Sequence, residues 1–297
     1  MKVLVTGSAG QLGSFVCEFM AGTHDIVGLD LRPSPYPGVK EVTVKGDIRK
    51  PADVRRALKG VDCVVHCAAQ VSVVKSFEDP LSDAETNVLG TVNLLHESLQ
   101  AGVSRFVYIS SAAVFGDPKY VPLDEKHPTE PMSNYGSSKL AGERFALAYA
   151  ASTPLQAVVV RPFNFYSKRA DPKSPYSGVI TKFVERVSAG KPPVIDGDGL
   201  QTRDFIHARD VARMVCMLAE RKDLSGEVFN CGSGATTSIL DLAKLVVSVS
   251  GKALEPEFGP PRQGDIRHSC ADMKKVRSLT GFEARTPLRD GLAELLG

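Results

Sequence analysis

A doubly wound parallel α/β sheet followed by a smaller, irregular lobe is the fold class this sequence predicts, and three observations predict it. Short β-branched runs alternate with amphipathic stretches, a glycine-rich turn follows the first of those runs, and the texture changes beyond about Pro162. Strand and helix patterns taken in turn imply parallel strands, because each return to the same edge of a sheet needs a crossover long enough to hold a helix.

The strand runs are Val3-Leu4-Val5, Ile26 to Leu29, Val61 to Val65, Phe106 to Ile109 and Val158 to Val160, with an amphipathic helix pattern from Leu12 to Met20. In open sheets of this kind ligands bind beyond the carboxyl ends of the strands. Functional residues are therefore expected just after each strand. Past Pro162, Gly/Pro/Ser-rich stretches at 167–178, 190–199 and 259–264 separate short helical segments at 179–187 and 210–220. The expected organisation is a first domain over residues 1–165 and a second lobe over 166–297, partly interleaved with it.

Composition narrows the partners. Apolar residues make up 43% of the 297, enough for a buried core, and 36 basic against 34 acidic residues leave a net charge of +2. The charges are scattered, so no basic stripe points to nucleic acid and no basic tail to a membrane surface. Small molecules are the expected partners. The start MKVLVTG runs straight into a strand pattern, and no apolar run approaches the roughly 18 residues that span a bilayer, so a cytoplasmic protein is expected. The six cysteines include no C-x-x-C pair and read as small buried hydrophobes, while His66, His207 and the other four histidines show no ligand spacing. Neither disulfides nor a metal are expected.

Directly after the first strand comes Gly7-Ser8-Ala9-Gly10-Gln11-Leu12-Gly13, which opens into the helix pattern. Bare backbone at Gly7 and Gly10 lets the turn bend and a pyrophosphate approach the helix N-terminus, and Gly13 lets helix and strand pack closely. Asp30, followed by Leu31, ends the next strand where an acceptor for a ribose 2′-hydroxyl belongs. A carboxylate accepts from a free hydroxyl and repels a 2′-phosphate, so NAD is favoured over NADP; Arg32, two residues on, reads as a solvated side chain. Asp47-Ile48, past the third strand, is assigned to the adenine edge.

Tyr135-Gly136-Ser137-Ser138-Lys139 places Tyr and Lys at i and i+4, neighbours on one helix face, where an ammonium favours a phenolate. A free phenol has a pKa near 10, and bringing it to about 7 takes roughly 4 kcal/mol, for which a lysine, a nicotinamide charge and a dry pocket are the candidate sources. Tyr36-Pro37-Gly38-Val39-Lys40 has the same spacing, but its Pro and Gly rule out a regular helix. Tyr135 instead follows a cap position at Asn134 and opens an amphipathic stretch, after a strand that ends in the hydroxyls Ser110-Ser111.

In these residues the chain resembles the extended short-chain dehydrogenase/reductase family, whose nucleotide-binding fold is the Rossmann fold, and within it the UDP-glucose 4-epimerase group. The resemblance spans essentially the whole length. It is carried by the glycine motif, His66-Cys67-Ala68-Ala69, Asn87, Ser110-Ser111-Ala112, Tyr135 to Lys139, Arg161-Pro162-Phe163-Asn164, Arg203-Asp204-Phe205-Ile206-His207 and Arg262-Gln263-Gly264-Asp265, in family order. It implies that Tyr135 is the acid/base, that Lys139 tunes it and holds the nicotinamide ribose, and that Ser111 shares the proton with a sugar hydroxyl. Cys67, Ala68, Ala69, Asn87 and Phe163 are implied to contact NAD.

For a UDP-sugar substrate the resemblance implies Ala112 beside Ser111, Asn164, Arg203 and Arg262 on the diphosphate, and Gly178-Val179-Ile180, Val194, Asp196 and Asp265 around the uracil and its ribose. Ser269 matches a position whose bulk limits the C2 substituent, so its small side chain predicts room for N-acetylhexosamine forms. The 4,6-dehydratases of the family carry Asp-Glu where this chain has Ala112-Ala113, which removes the acid and base of dehydration. Phe115 in place of Tyr, and Ser167-Lys168 in place of Gly-Pro, leave the substrate loop's shape open. The implied activity is NAD-dependent 4-epimerisation of a UDP-hexose, with an NAD(P)H-dependent reductase of a nucleotide-linked keto sugar as the alternative. Relatives imply a homodimer through the helices carrying Asn87 and Tyr135.

Overall fold

The computed structural model describes residues 1–170, 178–262 and 264–297, so most of the loop predicted at 167–178, and Gln263, lie outside the described residues. The chain forms two compact units. The first comprises Met1–Gly116, Thr129–Pro162 and Val211–Phe229, the second Asp117–Pro128, Phe163–Asp210 and Asn230–Gly297.

In the first unit, β1 (Lys2–Thr6), β2 (Asp25–Asp30), β3 (Thr43–Lys45), β4 (Cys63–His66), β5 (Arg105–Ile109) and β6 (Gln156–Pro162) join the strand Glu227–Cys231 in one seven-stranded sheet. From one edge the order is Glu227–Cys231, β6, β5, β4, β1, β2, β3. Neighbours from β6 to β3 are parallel, with Val5 in register with Gly28 on one side and Val65 on the other. The chain runs outward from β1 to β3 and then jumps back to β4. Crossovers therefore diverge between β1 and β4, the place where such sheets bind ligands.

Side chains alternate faces along a strand. Leu4, Leu29, Val64, Phe106, Tyr108 and Val159 point to one face, against Val54 and Leu58, Leu94 and Leu95, and Ala146. On the other face Val3, Val5, Val65, Val107, Val158 and Val160 are equally buried. Both faces are covered, which is why these strands read as continuous apolar runs. Arg105, buried at the start of β5, donates to Leu218 O at 2.6 and 3.2 Å and to Leu224 O, tying residues 211–229 to the sheet.

Three local predictions are resolved here. Helix α1 (Gln11–Met20) opens at Gly10 as expected. The helix carrying Tyr135, Asn134–Ser152, is capped by Ser133, whose Oγ accepts from Gly136 N at 3.0 Å, and not by Asn134. Extended backbone at Ser133 lets its short hydroxyl reach the third helical N–H. Asn134 already lies in the helix, and its amide donates to Ser76 O at 2.9 Å. The short helix near Tyr36 begins only at Val39, after Gly38 at a φ of 79°, so Tyr36 and Lys40 do not share a helix face.

The second unit is built of short pairs: Asn164–Tyr166 with Phe205–His207 and Val194–Asp196 with Glu257–Gly259, both parallel, and Thr202–Arg203 with Thr237–Ser238, antiparallel. Its core gathers Tyr166, Ile180, Phe183, Val187, Ile195, Phe205, Leu242, Val246 and Leu292. Buried Asp204 organises the loops, accepting from Ser233 N (2.7 Å), Ser233 Oγ (2.6 Å), Gly234 N (3.0 Å) and Ala271 N (3.1 Å). Among the described residues no helix is long and apolar enough to cross a membrane.

One close approach decides how the Tyr135 helix sits on the sheet. A Cβ at Gly142 would overlap the Tyr108 hydroxyl and ring. Gly142→Ala should therefore destabilise the protein by about 1–3 kcal/mol in denaturant unfolding. Adding Tyr108→Phe should restore only part of the loss, since the ring carbon that bears the hydroxyl also lies within the clash.

Candidate active site

At the carboxyl end of β1 the glycine turn is held by backbone bonds, Gly7 N to Leu29 O (2.8 Å) and Gly10 N to Gly7 O (3.0 Å). Gly7 has a φ of 70°, and a Cβ there would come within 2.8–2.9 Å of the Ala68 backbone. A Cβ at Gly13 would strike the Gly7 carbonyl. The turn, α1 and the segment after β4 are thus pressed together through the two bare backbones of Gly7 and Gly13. Asp30 stands beside the turn, its carboxylate accepting from Ala9 N (3.0 Å) and Arg32 N (3.1 Å).

Asp47 is buried, and Arg49 grips its carboxylate with Nε at 3.0 Å and Nη2 at 2.7 Å, which holds the acid below its usual range. Ile48 is buried and Leu31 exposed. After β4, Cys67 N donates to Thr6 O (3.2 Å) and Ala68 N to Thr6 Oγ1 (3.2 Å). His66 lies between Thr6 Oγ1 (2.7 Å) and Thr91 Oγ1 (3.0 Å), and burial drives its pKa down to about 3. Thr91 donates to Asn87 O (2.7 Å), so it accepts from His66 Nε2 while Nδ1 accepts from Thr6. The ring is neutral and structural.

Asn87 lies in a π-helical turn, Glu85–Leu89, with its amide committed inside the protein. Its Oδ1 accepts from Gln70 N (2.8 Å), and its Nδ2 donates to Gln70 O (2.9 Å), Asp83 Oδ1 (3.1 Å) and Ser138 Oγ (3.0 Å). It braces the segment after β4 against the Tyr135 helix.

Tyr135 enters the site on the first turn of its helix, its N–H donating to Ser76 Oγ at 3.0 Å. Of the two candidate hydroxyls, Ser110 is spent on Glu143 Oε1 at 2.5 Å, whereas Ser111 is the hydrogen-bond partner that lowers the proton affinity of Tyr135. Burial outweighs that bond and leaves the phenol above its ordinary value. The dry surroundings expected to assist the phenolate therefore oppose it, because desolvation penalises whichever form is charged. The same burial pulls Lys139 down to about 8.

Lys139 is 3% exposed, with Nζ 4.4 Å from the Tyr108 ring centroid, and its ammonium has no hydrogen-bond acceptor among the described residues. An ammonium so placed has donors to spare for hydroxyls of a bound ribose. Together with the glycine cradle and Asp30, the residues present fit a nicotinamide dinucleotide.

In the second unit Arg203 Nη2 donates to Asp265 Oδ1 at 2.5 Å, so two residues expected on different parts of a nucleotide are partners. Arg262 is exposed and close in chain, Asp265 N donating to its carbonyl at 3.3 Å. Asn164 is exposed and donates to Asp204 O (3.3 Å). Gly178 caps the helix Val179–Ser188, Val179 is partly buried, and Ile180 points into the core. Val194 is partly buried and Asp196 exposed on their short strand. Ser269 is 9% exposed, with its N–H on Thr202 O. Phe163 is buried, its N–H on Cys231 O (2.9 Å). In the first unit Ala112 and Ala113 form a short 3-10 turn capped by Ser111.

The sequence reading missed Glu143, Asp83, Gln70 and Tyr108. Glu143 had a signal, since it lies four residues after Lys139 on the same helix face. A model of the NAD dependent epimerase/dehydratase family matches residues 3–232. A UDP-glucose 4-epimerase from Mycolicibacterium smegmatis is 36% identical over 99% of this chain and 97% of its own length. A UDP-glucose 4-epimerase from Thermotoga maritima, solved with UDP-glucose, superposes with a TM-score of 0.93 at 32% identity over 100% of this chain and 97% of that one. One from Thermus thermophilus, solved with NAD, gives 0.89 at 32% identity over 100% and 98%.

Gly7→Ala should weaken NAD binding about tenfold or more by calorimetry, since the added Cβ strains the turn and meets Ala68.

Proposed function

Because the chain belongs to the NAD dependent epimerase/dehydratase family, we propose that it interconverts UDP-glucose and UDP-galactose through a transient 4-keto sugar. The observation that carries this reading is the turn after Ser111. Ala112, Ala113 and Val114 bring no carboxyl to it, and Glu143, the buried acid of the Tyr135 helix, is locked by Arg161 and Ser110. Dehydration needs an acid and a base that this turn lacks. Redox exchange at a carbinol needs only a hydride acceptor and one group that passes a proton.

Bound NAD supplies the reversible hydride acceptor for C4. Tyr135 takes the proton of the C4 hydroxyl at its phenolic oxygen and returns it when the ketone is reduced on the other face. Ser111 steadies that oxygen and the sugar hydroxyl. Lys139 holds the nicotinamide ribose and, as an ammonium, favours the phenolate. Asp30 holds the adenosine ribose. Arg262 and Arg203, the latter kept in place by Asp265, bind the diphosphate, and Asn164 assists them. Gly178, Val179, Ile180, Val194 and Asp196 meet the uridine. Ser269, small and nearly buried, supports N-acetylhexosamine nucleotides as further substrates.

Purified protein given UDP-galactose should equilibrate it with UDP-glucose without added reductant, and should turn over UDP-N-acetylglucosamine in the same assay. A requirement for stoichiometric NAD(P)H would replace this reading with a keto-sugar reductase. Tyr135→Phe should lower kcat by about 10²–10⁴-fold.

The rate should also fall as pH rises through about 8. Lys139 is an ammonium below that value and loses its proton above it, taking with it the charge that favours the phenolate. A pH–rate profile that stays flat to pH 10 would contradict this.

A further inference from the structure

One buried acid of the first unit has no part in the chemistry above. Asp83, on the short helix Pro80–Ala84, is 1% exposed and makes no ion pair among the described residues. Its Oδ1 accepts from Gln70 Nε2 at 2.8 Å and Asn87 Nδ2 at 3.1 Å. Gln70 in turn holds the segment after β4, its Nε2 donating to Ser72 O (2.9 Å) and its Oε1 accepting from Ser72 N (2.6 Å). Asn87 reaches Ser138 Oγ, and Ser138 Oγ donates to Tyr135 O at 3.0 Å. Asp83 thus sits at the root of a chain of bonds that ends on the helix turn between Tyr135 and Lys139.

A carboxylate buried on neutral amides is costly unless an opposite charge faces it. We propose that Asp83 is a positioning residue of the reaction, and that its negative charge, alongside that of Glu143, helps balance the Lys139 ammonium and tunes the proton affinity of the Tyr135/Lys139 pair. This rests on the assignment of Tyr135 as the proton carrier. The charges around the pair close on this reading. Glu143 on the same helix is paired with Arg161 of β6, with Nε at 2.9 Å and Nη2 at 2.8 Å, and its charge favours the Lys139 ammonium, whereas Asp83 acts on Tyr135 as well. His66 of β4 is neutral at its depressed pKa. Cys67 after β4 and Tyr108 of β5 are held as thiol and phenol by burial. Lys75, Glu78, Asp79 and Glu85, on the elements flanking Asp83, are exposed and screened. Among the described residues Asp83 is the anion of this group that has no ion-pair partner of its own, and electrostatics couples it to both members of the pair, favouring the protonated form of each.

Asp83→Asn keeps an oxygen for Gln70 and Asn87 and removes only the charge. In NAD-loaded protein without substrate, an ultraviolet difference titration against a Tyr135→Phe baseline should show the Tyr135 phenol ionising about one pH unit lower, a tenfold change in proton affinity. The fall in the pH–rate profile should move to acid with it. Asp83→Glu, which keeps the charge, should leave the titration in place. A superimposable Asp83→Asn titration, whatever its effect on thermal stability, overturns the proposal, as does an equal shift in Asp83→Glu. Carboxyl ¹³C resonances of the unaltered protein provide a check that needs no variant: Asp83 protonated at pH 7 also overturns it. A shifted titration in a protein that fails to turn over UDP-galactose would count against the proposed substrate and leave the role of Asp83 standing.

Discussion

Lys139 carries a positive charge at a place water scarcely reaches, and much of the first unit answers to that cost. An isolated buried ammonium would give up its proton. Burial does pull it down, to about 8, but Glu143 and Asp83 act in the other direction and keep it charged near neutrality. The Tyr108 ring lies beneath the ammonium, and the same tyrosine donates its hydroxyl to Lys139 O at 3.2 Å. That ring reaches the helix only because residue 142 has no side chain. One buried charge therefore shares its tyrosine with a packing contact three residues along the same face of its helix.

The same economy of space governs the glycine turn after β1. Gly7, Gly13 and the Ala68 backbone occupy a volume that a single methyl group would overfill. Such closeness places α1 and the segment after β4 around one point beyond β1, where the sheet's crossovers diverge. Thr6 serves both sides of that point. Its carbonyl accepts from Cys67 N, and its hydroxyl meets both Ala68 N and the neutral His66. Histidine here is a spacer between two threonines, held neutral by burial.

Much of this was legible in the order of residues. The alternation of Val3-Leu4-Val5 and its successors with helical patterns foretold a parallel sheet, because fully buried strands must be apolar on both faces. The glycine turn and Asp30 were readable because bare backbone and a terminal carboxylate are local requirements. Choices between equivalent neighbours were less legible. Ser110 and Ser111 are the same residue type at adjacent positions, and only the fold shows that one hydroxyl is taken by Glu143 while the other faces Tyr135. Ser133 and Asn134 are both good caps, and backbone direction selects the serine. Arg203 and Asp265 are 62 positions apart, and no spacing rule pairs them.

The sequence by itself determined the elements, their parallel pairing, the glycine turn and the Tyr135/Lys139 pair, because each is written in short local patterns of residues. Tertiary structure decided the electrostatics. Whether Tyr135 is raised or lowered, whether Lys139 stays charged, and which of Asp83, Glu143 and Arg161 attend them depend on desolvation and on charges from three separate segments. Desolvation is a property of the packed core, and a core exists only once those segments have come together.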